Sequence, residues 1–190
     1  MLKYCVRSKS NVDNKKHSGA PGGAPGKCSC SGTGLSVVVK EGGGDGVRLQ
    51  ASATVYKNGE PIGKFNMASS IPDYPDGMYD NHGTATVNEG LYKIIPCSTE
   101  QHPGAFLVLN WDIGNSYDIP CVNGKEKTPG TASDIMIHEA DDSWSSEERP
   151  WSAGCILIYK NDFADFSKLV SDNMSVDCDG NKYGKLYIER

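Results

Sequence analysis

The stretch SDIMIHEADDSWSSEERPWSAGCILIYK, residues 133–160, carries the strongest structural signal in the chain. It contains two short apolar runs, at 135–137 and 156–158, each of the length of a buried β-strand. His138 ends the first run, and Cys155 precedes the second. Because the polar loop between them is long enough to let the two strands lie side by side, we expect the histidine and the cysteine to meet.

A cysteine beside a histidine has the chemistry of a thiol nucleophile. A cysteine of ordinary pKa, about 8.5, is only a few per cent thiolate at neutral pH. The imidazole of His138 can take the proton of Cys155 and later return it to a leaving amine. Small residues before the cysteine allow close approach of the backbone to a substrate. We predict that the amides of Ala153, Gly154 and Cys155 donate to an oxyanion, and that Ser152 orients the turn or a substrate group.

Short strand patterns extend outward from this segment in both directions. Asn58-Gly59 is the commonest signal for a tight hairpin, and it separates two of these patterns. The predicted strands cover residues 35–40, 47–57, 61–69, 84–87, 90–95, 105–113, 134–140, 154–160 and 185–190.

One helix is predicted, over residues 161–173, with Asn161 or Asp162 as its N-cap. Its apolar face is formed by Phe163, Phe166, Leu169 and Val170. Many short strands with glycine-rich turns and a single helix in the C-terminal half predict a mostly β domain, a β-sandwich or barrel.

Composition divides the chain into two parts. Residues 17–34 are rich in glycine and proline, so 1–34 is predicted to be a flexible tail or linker and 35–190 the folded domain. The net charge of −5 and the scattered basic residues argue against nucleic-acid binding. No apolar run reaches the roughly 20 residues of a membrane span, and no classical signal peptide is expected at the N-terminus.

The spacing His138-x13-Ser152-x-Gly154-Cys155-Ile156 resembles the signature of the L,D-transpeptidase catalytic domain. The resemblance extends over residues 47–160, including a hairpin at 55–70 and a strand entry at 88–92. It implies an L,D-transpeptidase-like β-sandwich in which His138 is the general base, Ser152 the turn serine, Gly154 the glycine before the nucleophile and Cys155 the nucleophile itself.

The resemblance implies acyl transfer on peptidoglycan stem peptides in the periplasm or cell wall. Cys155 would form a thioester, which an amine resolves in transpeptidation or D-amino acid exchange, and water resolves in carboxypeptidase action. No metal or organic cofactor is implied. The chain departs from the family pattern at three positions. Ala153 stands where His or Arg is usual, Leu157 stands where Arg is usual, and Glu89 stands where Pro is common.

Two alternatives remain open at this stage. The first is an antibacterial toxin that uses the same chemistry on a competitor's cell wall, with an immunity protein or secretion machinery as partner. The second is a non-catalytic module that keeps the fold and binds cell wall or serves as a phage structural part. The departure at Leu157 favours the module, whereas the intact Cys155 and His138 favour an enzyme.

Three further aromatic residues are candidates for substrate binding. Trp144 and Trp151 flank the loop between base and nucleophile, where they either cover the cleft or attach the loop to the core. His82 lies near the predicted hairpin and is a candidate to line the cleft, whereas His102 precedes a Pro-Gly turn and is expected to be solvated.

Two polar features have structural rather than catalytic interpretations. Cys97 and Cys121 are a candidate disulfide pair in an oxidising compartment. The segment 177–181 imitates a calcium loop, but its glycine is misplaced and the closing glutamate is missing, so a turn is predicted.

Overall fold

The structure, a computed structural model, describes residues 34–41, 51–68, 85–123, 128–140 and 154–189. These residues form twelve strands and one helix. The elements are β1 (Leu35–Glu41), β2 (Ala51–Lys57), β3 (Glu60–Ala68), β4 (Ala85–Val87), β5 (Gly90–Pro96), β6 (Phe106–Asn110), β7 (Ile119–Asn123), β8 (Thr128–Ala132), β9 (Met136–Glu139), β10 (Ile156–Ile158), α1 (Lys160–Asn173), β11 (Ser175–Val176) and β12 (Lys182–Glu189).

The larger sheet is barrel-like. Its strands follow the order β1-β2-β3-β10-β9-β6-β5-β12-β11. Strand β12 also pairs in parallel with β1, the first strand in this order, so the sheet is nearly closed. The pair β9 and β10 is also parallel, and the remaining neighbours in this sheet are antiparallel. The described residues therefore confirm the predicted mostly β fold with one helix in the C-terminal half.

The hairpin between β2 and β3 forms at the predicted turn. Asn58 has a φ of 55° and Gly59 a φ of 88°, and a type I′ turn requires positive φ at both central residues. Asparagine and glycine adopt this conformation more readily than other residues, which is why a short local sequence decides the pairing of two strands.

The single helix packs its apolar face against the core, as the sequence predicts. Phe163, Phe166 and Val170 are buried, and the ring of Phe166 makes edge-to-face contacts with Phe65 and Phe106. Their centroids lie 5.3 and 6.0 Å from that of Phe166. The helix therefore packs through aromatic contacts against both β3 and β6, the strands on either side of β10 and β9.

The predicted N-cap is wrong. The helix begins at Lys160, and Tyr159 occupies the cap position without a side-chain capping hydrogen bond. Because β10 ends at Ile158, almost no connection separates strand from helix, and Asp162 falls inside the first turn. Its Oδ2 instead accepts a long hydrogen bond of 3.5 Å from the backbone N–H of Asn66.

A second sheet, in the order β4-β7-β8, was not fully predicted, because prolines interrupt the strand pattern. Pro120 in β7 lies beyond the residues that pair with β4, so its missing N–H removes no hydrogen bond on that side. The carbonyl of Pro120 accepts from the N–H of Asn88 at 2.9 Å. The hydroxyl of Tyr92 in β5 donates to the carbonyl of Asn88, also at 2.9 Å, and thereby links the two sheets.

Candidate active site

The strands that carry the predicted histidine and cysteine are neighbours. In the parallel pair β9 and β10, Leu157 lies opposite His138 and Ile156 lies opposite Ile137. Residues that are directly opposite share one face of a sheet, and alternate residues along a strand share it too. Ile137 and Ile156 belong to the hydrophobic core, so His138 projects from the other face.

Cys155 lies just before β10 and is half-buried. If the pleat continues by one residue, its side chain is on the same face as Leu157 and His138. In an extended pair with a strand separation of ~4.8 Å and a rise of ~3.3 Å per residue, such a diagonal spans about 8 Å between Cα atoms. The side chains of Cys155 and His138 can bridge such a distance.

Gly154 is buried and has a φ of 143°, in the region that favours glycine. A side chain at this position would strain the backbone directly before Cys155. The backbone conformation thus explains why a glycine stands at position 154, in addition to the close approach to a substrate expected from the sequence.

The imidazole of His138 is held in one tautomer. Its Nδ1 lies 2.7 Å from the backbone carbonyl oxygen of Glu139. Since a carbonyl only accepts, Nδ1 carries the proton, and Nε2 of the neutral ring is left as the acceptor. This is the arrangement that a general base needs.

The pKa of His138 is lowered to about 4, chiefly because the half-buried ring loses solvation. Repulsion from His102 lowers the pKa further, and the hydrogen bond to Glu139 offsets part of the shift. At neutral pH the ring is therefore uncharged and able to accept a proton.

His102 is not the solvated loop residue that the sequence suggested. It is half-buried, and its ring stacks on that of His138 with centroids 4.1 Å apart and planes inclined by 32°. The sequence places it in a turn before Pro103, and no periodicity connects it to a strand 36 positions later. Only the pairing of β6 with β9 brings the two together.

The other predicted site residues lie outside the described residues: Ser152, Ala153, Trp144, Trp151 and His82. Leu157 is described, and it is 3% exposed beside His138. An aliphatic residue therefore occupies the strand position next to the imidazole.

The suggested Cys97–Cys121 disulfide is also incorrect. Cys97 is disulfide-bonded, but not to Cys121, which is a buried thiol. Burial raises the pKa of Cys121, which makes it a poor nucleophile. Cys178 is an exposed thiol.

Within the described ranges, no cluster of three or more His, Cys, Asp or Glu side chains could hold a metal ion. The segment 177–181 forms the predicted turn, in which Asp177 Oδ1 accepts from the N–H groups of Asp179 and Asn181. In the same part of the chain, no helix is long and apolar enough to cross a membrane.

Comparison with known proteins gives one family. The sequence model of the YkuD family, the L,D-transpeptidase catalytic domain, matches residues 47–178, which is more than half of the chain. The match includes both β9 and β10. No curated protein and no solved structure matches the chain at a significant level.

Proposed function

The chain belongs to the L,D-transpeptidase catalytic domain family, and from this premise we propose that it catalyses cysteine-dependent acyl transfer on peptidoglycan stem peptides. Cys155 is the nucleophile and His138 the general base. The parallel pairing of β9 with β10 supports this assignment, because His138 lies in β9 and the half-buried Cys155 directly precedes β10.

In the first half of the reaction, the sulfur of Cys155 attacks the carbonyl carbon of an amide next to a D-amino acid, while Nε2 of His138 takes the thiol proton. The resulting oxyanion is stabilised by backbone amides, with those of Ala153, Gly154 and Cys155 as the proposed donors. The C–N bond then breaks, and the imidazolium of His138 gives its proton to the leaving amine. The product is a thioester on Cys155.

In the second half, an acceptor amine attacks the thioester carbonyl and His138 takes a proton from that amine. The C–S bond breaks, the new amide is released and the thiol of Cys155 is restored by the proton from His138. If water attacks instead, the product is a free carboxylate. The choice between transpeptidation, D-amino acid exchange and carboxypeptidase action therefore depends on which nucleophile reaches the thioester.

The observation that carries the proposal is the hydrogen bond from Nδ1 of His138 to the carbonyl of Glu139. It directs the lone pair of Nε2 away from the backbone, as proton transfer from Cys155 requires. Ser152 is proposed to orient the turn before the nucleophile, and Trp144, Trp151 and His82 are proposed substrate contacts.

The proposal is tested by incubating the protein with purified sacculi and identifying the released and cross-linked stem peptides by mass spectrometry. Cys155→Ala is the inactive control, and Cys178→Ala, which removes an exposed thiol, is the matched active control. New amide-linked or shortened stems with the wild type and Cys178→Ala, but not with Cys155→Ala, would support the proposal. Equal products from all three proteins would disprove the role of Cys155.

A finer proposal concerns the target wall. The same chemistry directed at a competitor would make the protein an antibacterial toxin, with an immunity protein and secretion machinery as its partners. Expression in the bacterial periplasm distinguishes a toxin from a wall-modifying enzyme. Growth inhibition by the wild type but not by Cys155→Ala supports a toxin. Normal growth with altered stem peptides supports a wall-modifying enzyme.

A further inference from the structure

The loop between β5 and β6, residues 97–105, has an internal framework of hydrogen bonds around His102. The N–H of His102 donates to Oγ1 of Thr99 at 2.9 Å, and the N–H of Thr99 donates to the carbonyl of His102 at 3.1 Å. The carbonyl of His102 also accepts from the N–H of Ala105 at 3.3 Å. The backbone of His102 is therefore fixed within its own loop.

The helix α1 holds the same loop from outside. Oγ of Ser167 donates to the carbonyl of Gly104 at 2.8 Å, and the N–H of Gly104 donates to Oγ of Ser98 at 2.9 Å. Gly104 has a φ of 76°, and a Cβ at this position would lie 2.8 Å from Oγ of Ser167. The contact with α1 thus depends on a glycine, two residues after His102.

The hydrogen bonds of the loop hold the backbone of His102, and the imidazole ring of His102 stacks on that of His138. The last torsion of a histidine side chain joins sp³ to sp² carbon and has broad minima, so a rotamer alone does not set the plane of the ring. Two contacts restrict that plane here: the carbonyl of Glu139 at Nδ1 and the ring of His102 against one face. Offset and tilted ring pairs are favourable beyond the area that they bury.

We infer that His102 is a positioning residue of the active site, whose stacked ring, together with the carbonyl of Glu139, fixes the plane in which His138 presents Nε2 to Cys155. The catalytic part of this inference rests on the proposed function, whereas the ring geometry does not. His102 acts through His138 and takes no proton from the substrate.

The stack has an electrostatic consequence as well. The stacked imidazole of His102 contributes to the lowered pKa of His138 through charge repulsion. The proposed nucleophile Cys155 directly precedes β10, the strand that pairs with β9. Leu157, the residue paired with His138, is apolar, and Glu139 contributes its backbone carbonyl.

Two substitutions separate stacking from charge. His102→Ala removes both, whereas His102→Phe keeps a ring of similar shape against His138. Tyr117→Ala is the matched control, because it truncates an exposed aromatic side chain in the loop at the opposite end of β6. Thermal melting of all three variants reports whether the fold is retained.

The first readout is the tautomer and pKa of His138, followed by ¹⁵N NMR of the imidazole during a pH titration. We expect only the Nδ1–H tautomer in the wild type, in Tyr117→Ala and in His102→Phe, and a mixture of tautomers in His102→Ala. The pKa of His138 should rise in both His102 variants, because the neighbouring imidazole is lost.

The second readout is the rate of alkylation of Cys155 by iodoacetamide, together with kcat on stem peptides. We expect His102→Ala to lower both by roughly tenfold to a hundredfold at neutral pH, since a misplacement of ~1 Å can cost about a hundredfold, and His102→Phe to restore most of the loss. Wild-type tautomer and rate in His102→Ala, or the same loss in His102→Phe as in His102→Ala, would overturn the inference.

The two proposals fail in different ways. If the wild type does not process sacculi, the proposed function fails, but the tautomer and the alkylation rate still decide the role of His102, since neither needs a substrate. If sacculi are processed and His102→Ala behaves like Tyr117→Ala in every readout, only the role of His102 is refuted.

Discussion

Leu157 lies directly opposite His138 in the adjacent parallel strand, and only 3% of its surface is exposed. An aliphatic neighbour offers no hydrogen bond to an imidazolium and excludes water from it. The neutral form of His138 is therefore favoured, in agreement with a pKa lowered mainly by loss of solvation. The pair of thiol and imidazole is accordingly expected to rest in its uncharged form, with proton transfer occurring as the thiol attacks.

The lowered pKa of His138 predicts a pH dependence of stability. Between its ordinary value of 6.5 and about 4, the histidine binds a proton in the unfolded chain but not in the folded protein. The free energy of unfolding should therefore fall as pH decreases through this interval, by up to about 3 kcal/mol at ~1.4 kcal/mol per pH unit. The measurement is denaturant unfolding of the wild type and of His138→Gln at pH 7 and pH 4.

The substituted protein isolates this single group. Titrating residues that do not contact His138, including Asp172 and Asp177 with their lowered pKa values, contribute equally to both proteins and cancel in the difference. A smaller loss of stability on acidification is expected for His138→Gln. Identical pH dependence in the two proteins would contradict the burial of a neutral His138.

The reactivity of the thiols should not follow their exposure. Cys178 is exposed and Cys155 half-buried, yet Cys155 should react faster with iodoacetamide at pH 6–7 if His138 acts as the proposed base and removes its proton during attack. Mass mapping after brief labelling measures both sites in one sample, and Cys121 should remain unmodified because it is buried. In His138→Gln the order should reverse, and a wild type in which Cys178 reacts first would argue against an activated Cys155.

The hydrogen bond between Ser167 and Gly104 should affect catalysis as well as stability. Ser167→Ala removes the donor to the carbonyl of Gly104 and is expected to cost about 1 kcal/mol of unfolding free energy. Because the loop that carries His102 loses its attachment to α1, kcat on stem peptides should fall several-fold. Ser171→Ala, one helical turn further along, is the control and should retain the wild-type kcat; an equal kcat in both variants would show that the attachment is irrelevant.

The aromatic contacts of Phe166 should dominate the stability of the helix–sheet contact. Phe166→Ala removes a fully buried ring and its edge-to-face contacts with Phe65 and Phe106, so we expect a loss of about 3–5 kcal/mol. Phe166→Leu, which keeps most of the volume, should cost much less. Urea unfolding at pH 7 measures both, and a loss below about 1 kcal/mol for Phe166→Ala would contradict this packing.

Several features of the fold are determined by local sequence. The hairpin follows from Asn58 and Gly59, because these residue types adopt positive φ at little cost. The buried face of α1 follows from the spacing of its phenylalanines and Val170, and the strands next to His138 and Cys155 follow from short aliphatic runs. In each case the physical cause lies within a few residues, so the sequence alone is sufficient.

The tertiary structure alone decides which of these elements meet. The parallel pairing of β9 with β10 sets Leu157 beside His138, and the antiparallel pairing of β6 with β9 brings His102 onto the imidazole. Pro120 and Pro129 are accommodated in β7 and β8 because of the way these strands pair with their neighbours, and no local sequence pattern reveals this pairing. Local sequence patterns are enough to predict the fold class, the hairpin, the helix face and the candidate pair of Cys155 and His138. The stack of His102 on His138 and the strand order depend on contacts between distant residues, whose free energy is gained only when the whole sheet has formed.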